Sequence, residues 1–208
     1  MPALPSPLTR ATLAVGVATP AVYFGAQAIA APFYPGYSFF SQVASELGSD
    51  RAPLPTIFNV GVFLTGFVTL IAAVGFYQGL KELGIHPIWT WIVTLALISC
   101  GVGSINAGYF HLPSPRHNPG ILGIGMFALP LILPSATWKL KDARWLRTYL
   151  LANIAFIAAL APFMAGVGGL DTHAYQGLFQ RLFALTLFIP IALVSWFLLK
   201  RAHVPQTH

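Results

Sequence analysis

Apolar residues recur along this chain in runs of about 20, the length a helix needs to cross a bilayer, and polar residues are confined to the short intervals between them. Six runs stand out. The first extends roughly from Ala11 to Ala31 and is expected to bend at Pro20. The second, Thr56 to Leu80, opens after Pro53-Leu54-Pro55, and the third, Ile88 to Tyr109, opens after Pro87 with Trp89 and Trp91 as interfacial aromatics. The fourth, Gly120 to Trp138, carries Pro130 and Pro134 and is expected to kink. The fifth runs from Thr148 to about Gly168, with Pro162 near its exit, and the sixth from Gly177 to Leu199. The pattern predicts an all-α polytopic membrane bundle of six transmembrane helices forming one domain over residues 1–208. The start of the first run, with Arg10 ahead of it and Ala28-Ile29-Ala30-Ala31 at its end, imitates a secretory signal and its cleavage site; it is read as the first spanning helix.

Composition agrees. Of 208 residues 56% are hydrophobic and 8% charged, against about 25% charged in a soluble domain. The single Cys100 lies within an apolar run, so no internal disulfide can form. The net charge of +6 changes meaning once it is mapped. Outside the runs, Arg10, Lys81, Lys139, Lys141, Arg144, Arg147, Lys200 and Arg201 fall on one side of the predicted bundle, and only Arg51 and Arg116 on the other. That sidedness predicts cytoplasmic termini with the first, third and fifth loops facing outward. The basic residues therefore read as membrane anchors, with no call for nucleic acid as a partner. The fourth loop, Lys139 to Arg147, would also meet anionic inner-leaflet lipid at about 1 kcal/mol per basic residue.

The outward loops hold most of the polar chemistry. The longest, Pro32 to Pro55, opens with the aromatic turn Phe33-Tyr34-Pro35-Gly36-Tyr37. Ser38 to Leu47 fits a short amphipathic helix on the surface, with Phe39, Phe40, Val43 and Leu47 toward lipid or protein and Gln42, Ser45 and Glu46 toward water. Arg181 sits about one turn inside the sixth run, where an ionisable group needs a partner or a water-filled cleft. Glu46, Asp50 and Asp171 are the carboxylates on that side. One reading is an ion pair that holds a loop against the sixth helix; the other is a guanidinium fork that binds a lipid phosphate or a carboxylate.

His111, His117 and His173 share the outer side and, with a carboxylate, would make a zinc site with an open position, although no His-Glu-x-x-His occurs. A triad of Ser45, His111 and Asp171 would need all three to converge, and the chain has no Gly-x-Ser-x-Gly elbow. No histidine lies deep in a run, which disfavours a haem between helices. No ionisable residue lies at a run's midpoint, which leaves an ion-coupled transporter without a coupling site. The last run has no lysine for a retinal Schiff base. Asn59, Ser99, Ser104 and Asn106 remain as polar groups within the runs, with interhelical hydrogen bonding as their default role.

Three segments together resemble the bacterial DUF998 family, six-span proteins distantly similar to the Frag1/DRAM/Sfk1 membrane proteins. They are Ser45-Glu46-Leu47-Gly48 with Arg51-Ala52-Pro53 and Phe58-Asn59-Val60-Gly61; Gly108-Tyr109-Phe110; and Gly177-Leu178-Phe179-Gln180-Arg181-Leu182. The resemblance covers about residues 11 to 199. It implies a six-helix fold with polar motif residues on the outer face, here Ser45, Glu46, Asn59, Gln180 and Arg181, and a place in a bacterial plasma membrane. Where that family often has an acid after Gly-x-Phe, this chain has His111-Leu112-Pro113. The distant relatives handle lipid, so the resemblance implies a lipid ligand by analogy.

The reading that joins these observations is an outward polar cleft binding a lipid headgroup or small anionic ligand. Arg181 would hold the anion, Glu46 would orient it, Ser45, Asn59, Gln180 and Asp171 would contribute, and His111, His117 and His173 would line the mouth. The alternatives are a membrane-embedded zinc lipid hydrolase using the three histidines, and a structural subunit docking on a membrane-protein partner.

Overall fold

The computed structural model describes residues 6–169 and 171–201, and they form an all-α bundle. Six segments are long and apolar enough to span a membrane: Pro7–Phe33, Pro55–Glu82, Pro87–Tyr109, Pro115–Thr137, Arg144–Met164 and Thr172–Arg201. They contain helices α1 (Pro7–Val17), α2 (Thr19–Ala30), α3 (Pro55–Glu82), α4 (Pro87–Tyr109), α5 (Gly125–Thr137), α6 (Arg144–Met164) and α7 (Thr172–Arg201). The segments alternate in direction. At one end, here the basic end, Thr9 bonds Gln78 and Arg201 pairs with Asp142 at 3.1 Å. At the other, the loop end, Ser45, Asp50, His111, His117 and Arg181 lie in or beside the loops.

The breaks follow from chemistry. The first span divides at Ala18, just ahead of Pro20. Proline has no N–H to offer the Gly16 carbonyl, and the Thr19 hydroxyl donates to that carbonyl instead, at 2.9 Å. The fourth span begins as two short 3-10 helices, Pro115–His117 and Gly120–Gly123, before α5 continues through Pro130 and Pro134. Ser99 on α4 repairs the junction: its hydroxyl donates to the Leu122 carbonyl at 2.7 Å and accepts from Gly125 N at 2.9 Å. The fifth span ends at Met164, earlier than Gly168, because Gly166, Gly168 and Gly169 take positive φ that a helix does not use.

Large apolar side chains point outward. On α3, Val60, Leu64, Phe67, Ile71 and Val74 are exposed at alternating four- and three-residue spacing, one stripe of a helix. The opposite face buries Thr65, Gly66, Thr69, Ala72 and Ala73. A stripe of large apolar residues on the outside and small ones within is the pattern of helices that pack in lipid. The Thr65 and Thr69 hydroxyls return to the helix's own Gly61 and Thr65 carbonyls at 2.8 Å each, so burying them leaves no donor unmet. α7 crosses the centre of the bundle and supplies Phe188, Ile191, Val194 and Leu198 to the main core, beside Leu13, Phe76 and Leu97.

α3 and α4 come close together at Gly66 and Gly101. A Cβ on Gly66 would lie 2.6 Å from the Gly101 carbonyl oxygen and 2.8 Å from Ile105 N, atoms that cannot turn aside. Gly66→Leu is therefore expected to destabilise the bundle by about 1–3 kcal/mol, read as a lowered midpoint in thermal unfolding of the purified protein.

Candidate functional site

The loop between α2 and α3 folds down onto the start of α7. Ser38 to Leu47 does not form the expected surface helix. It makes turns and then a short 3-10 helix, Ala44–Gly48, whose Leu47 is buried against Ala26, Ala30, Phe58 and Val62. The reason lies in the carbonyls that such a helix would need. Leu178 N donates to Phe40 O at 2.9 Å, and Ala44 N, the helical partner of Phe40 O, donates to Gln180 Oε1 instead. Arg181 Nη1 donates to Phe39 O and Gln42 O at 2.9 Å each, and to Gly177 O at 2.8 Å. Val43 N, released from Phe39 O, turns to Glu46 Oε1. Only Gln42 N keeps its helical partner, Ser38 O, at 2.9 Å; α7 takes the Phe39, Phe40 and Gln42 carbonyls and the Ala44 N–H.

Arg181 is the centre of this clamp. Its Nη2 bonds the Tyr37 hydroxyl, and its guanidinium carbon lies 4.8 Å from the Phe39 ring centre and 5.6 Å from that of Tyr37. Among the described residues no carboxylate pairs with it. The expected ion pair is replaced by main-chain carbonyls, and Glu46 faces Gln42 Nε2 at 2.9 Å. Burial pushes the Tyr37 phenol above its ordinary value of 10.0, while Arg181 pulls it down. A raised folded-state value means that the Tyr37 contribution is intact below pH 10.0 and is lost as pH climbs beyond it. Gly177 makes the approach feasible, since a Cβ there would meet the Gln42 carbonyl and lie 2.8 Å from Phe39 O. Asn59 holds the far end of the loop, donating from Nδ2 to Gly48 O at 2.9 Å.

The clamp delivers Ser45 to His117. Ser45 Oγ is 3.1 Å from His117 Nε2, and His117 Nδ1 is 2.8 Å from the Phe110 carbonyl oxygen. A carbonyl can only accept, so Nδ1 carries the proton. In the uncharged ring Nε2 is then a bare acceptor, and the Ser45 hydroxyl donates to it. This contact spans 72 residues of sequence, and nothing in the sequence marks His117, rather than His111, as the partner of Ser45.

The other candidates lie elsewhere. His111 Nε2 meets Asp50 Oδ1 at 2.8 Å on the exposed surface. Asp171 caps α7, its Oδ1 accepting from His173 N at 3.0 Å and Ala174 N at 3.3 Å, and the His173 side chain is exposed. Ser45, His111 and Asp171 are each engaged with other partners, so a triad of these three is not assembled. Among the described residues no group of three or more His, Cys, Asp or Glu is placed to hold a metal ion.

Behind the Ser45–His117 pair lies a cavity of about 360 Å³, at the small end of the 300–1,000 Å³ that ligand pockets usually span. Ser45, Ser104, His117, Asn118 and Gln180 line its polar part. Tyr23 of α2, Phe58 and Val62 of α3, Ala107 of α4, Met126 and Phe127 of α5, and Phe183 and Leu187 of α7 line the rest. Gln180 Oε1 is taken by Ala44 N and Asn118 Oδ1 by Gly120 N, so both amides keep their NH₂ groups without a partner among the described residues. Of the segments that carried the family resemblance, Ser45 to Gly48, Phe58-Asn59, Phe110 and Gly177 to Arg181 meet at this cavity or its clamp. No curated protein and no solved structure matches the chain. Residues 17–197 match the model of a family described as protein of unknown function (DUF998), and over that span, most of its length, the chain belongs to this family.

Proposed function

We propose that this integral membrane protein takes the apolar chain of a lipid into the cavity beneath the α2–α3 loop, with the lipid's polar end at Ser45, His117, Asn118 and Gln180. The observation that carries this reading is the make-up of the cavity wall: Ser45, His117, Asn118 and Gln180 from the loop end, with Ser104 of α4, against aromatic and aliphatic side chains from five helices. Such a wall suits an amphipathic molecule with one polar end. Arg181 and Glu46 serve the site from outside by fixing the loop, since the guanidinium is already engaged with three carbonyls. The sidedness of the basic residues supports cytoplasmic termini and an outward loop end.

Ala184 lines the cavity and is buried. Ala184→Phe fills the space the lipid chain would occupy. Native mass spectrometry of the protein released from a mild detergent is expected to show bound lipid on the wild type and its loss in this variant. Equal lipid occupancy in both would contradict the reading.

A further inference from the structure

The pairing of Ser45 with His117 does more than bind. We propose that Ser45 is a nucleophile and His117 its general base, and that together they cleave a carboxylic ester whose apolar acyl chain lies in the cavity. This rests on the reading of the cavity as a lipid site.

The geometry has the three parts that such chemistry needs. The nucleophile and base are 3.1 Å apart, within reach for proton transfer. The base is held in the productive tautomer by a third group, the Phe110 carbonyl, at 2.8 Å from Nδ1. Amide NH₂ groups without partners among the described residues, on Gln180 and Asn118, line the same cavity and can donate to charge that develops on an ester oxygen. Gln180 is further fixed by Ala44 N, the residue next to Ser45.

The steps balance. Ser45 Oγ attacks the ester carbonyl carbon, and its proton passes to His117 Nε2. The tetrahedral intermediate then expels the alcohol oxygen, which takes that proton and leaves as the free alcohol, with the acyl group on Ser45. Water attacks the acyl carbon and gives a proton to Nε2. Collapse returns it to Ser45 Oγ and releases the carboxylic acid. A carbonyl dipole stabilises the intermediate imidazolium less than a carboxylate would, so turnover is slow, and a single-event covalent probe is the sensitive readout.

The test uses the full chain in lipid nanodiscs with a long-chain alkyl fluorophosphonate. Attack by Ser45 Oγ on phosphorus expels fluoride and leaves a stable adduct. One adduct per chain, mapped to Ser45 by peptide mass spectrometry, is the expected result. Ser45→Ala removes it. His117→Gln, which offers no base to the Ser45 hydroxyl, slows labelling by about 10²–10⁴-fold. Bound lipid is measured on the same samples by native mass spectrometry. Lipid present with no adduct, or labelling that His117→Gln leaves unchanged, overturns the proposal and spares the lipid-binding reading. Neither lipid nor adduct overturns both. A His117-dependent adduct on Ser45 without bound lipid upholds the pair and counts against lipid as its resident ligand.

Discussion

Arg181→Ala is expected to release the α2–α3 loop from α7 and to destabilise the protein by about 2–4 kcal/mol. The substitution strips the donor from the Phe39, Gln42 and Gly177 carbonyls and from the Tyr37 hydroxyl at once. Hydrogen bonds from a charged donor rank among the stronger ones, and the Phe39 carbonyl, whose helical partner Val43 N is turned to Glu46, is left without a donor and adds a desolvation penalty. Arg181→Lys should recover only part of the loss, because one ammonium cannot reproduce a fork that reaches Gln42 O and Tyr37 from different nitrogens. Limited proteolysis of the purified protein checks this directly: cleavage between residues 33 and 54 should accelerate in Arg181→Ala and less so in Arg181→Lys. Unchanged cleavage in both would remove Arg181 from the clamp.

Gly177→Val is expected to act on the same interface by a different route, overpacking, at about 1–3 kcal/mol. A Cβ at this position meets the Gln42 carbonyl and crowds Phe39 O at 2.8 Å, both main-chain atoms. The loop has to lift, and Ala44 N then leaves Gln180 Oε1 while Ser45 withdraws from His117. Loss of stability and loss of bound lipid should therefore appear together in Gly177→Val. If the variant loses stability yet keeps its lipid, loop position and cavity are independent. Because Arg181→Ala and Gly177→Val open the same contact, their effects should be far from additive in the double variant.

The spans were legible in the sequence because a bilayer imposes a minimum apolar length and leaves few alternatives. The end of α6 was placed too late because Pro162 does not stop the helix; the glycines with positive φ after Met164 do, and that requirement leaves no hydrophobic signature. The amphipathic pattern of Ser38 to Leu47 was real, and Leu47 is indeed buried, yet the helix is absent. Periodicity reports which face is apolar. It cannot report that donors from α7, more than 130 residues away in sequence, will take the carbonyls that the helix requires. Arg181 was recognisable as a group in need of partners, and what the sequence could not show was that main-chain carbonyls would supply them. The pairing of Ser45 with His117 instead of His111 depends on which way each loop turns, and spacing along the chain holds no such information. The three histidines share one end of the bundle and still have separate roles.

The central claim is that a lipid chain lies inside the bundle, under the loop, and not only around it. A phospholipid carrying a photoreactive diazirine at the end of one acyl chain tests this most directly. After illumination of the protein in nanodiscs, the account predicts crosslinks on cavity residues such as Val62, Met126 and Leu187, lost in Ala184→Phe. Crosslinks confined to the outward stripe of Val60, Leu64 and Phe67, unchanged by Ala184→Phe, would contradict it.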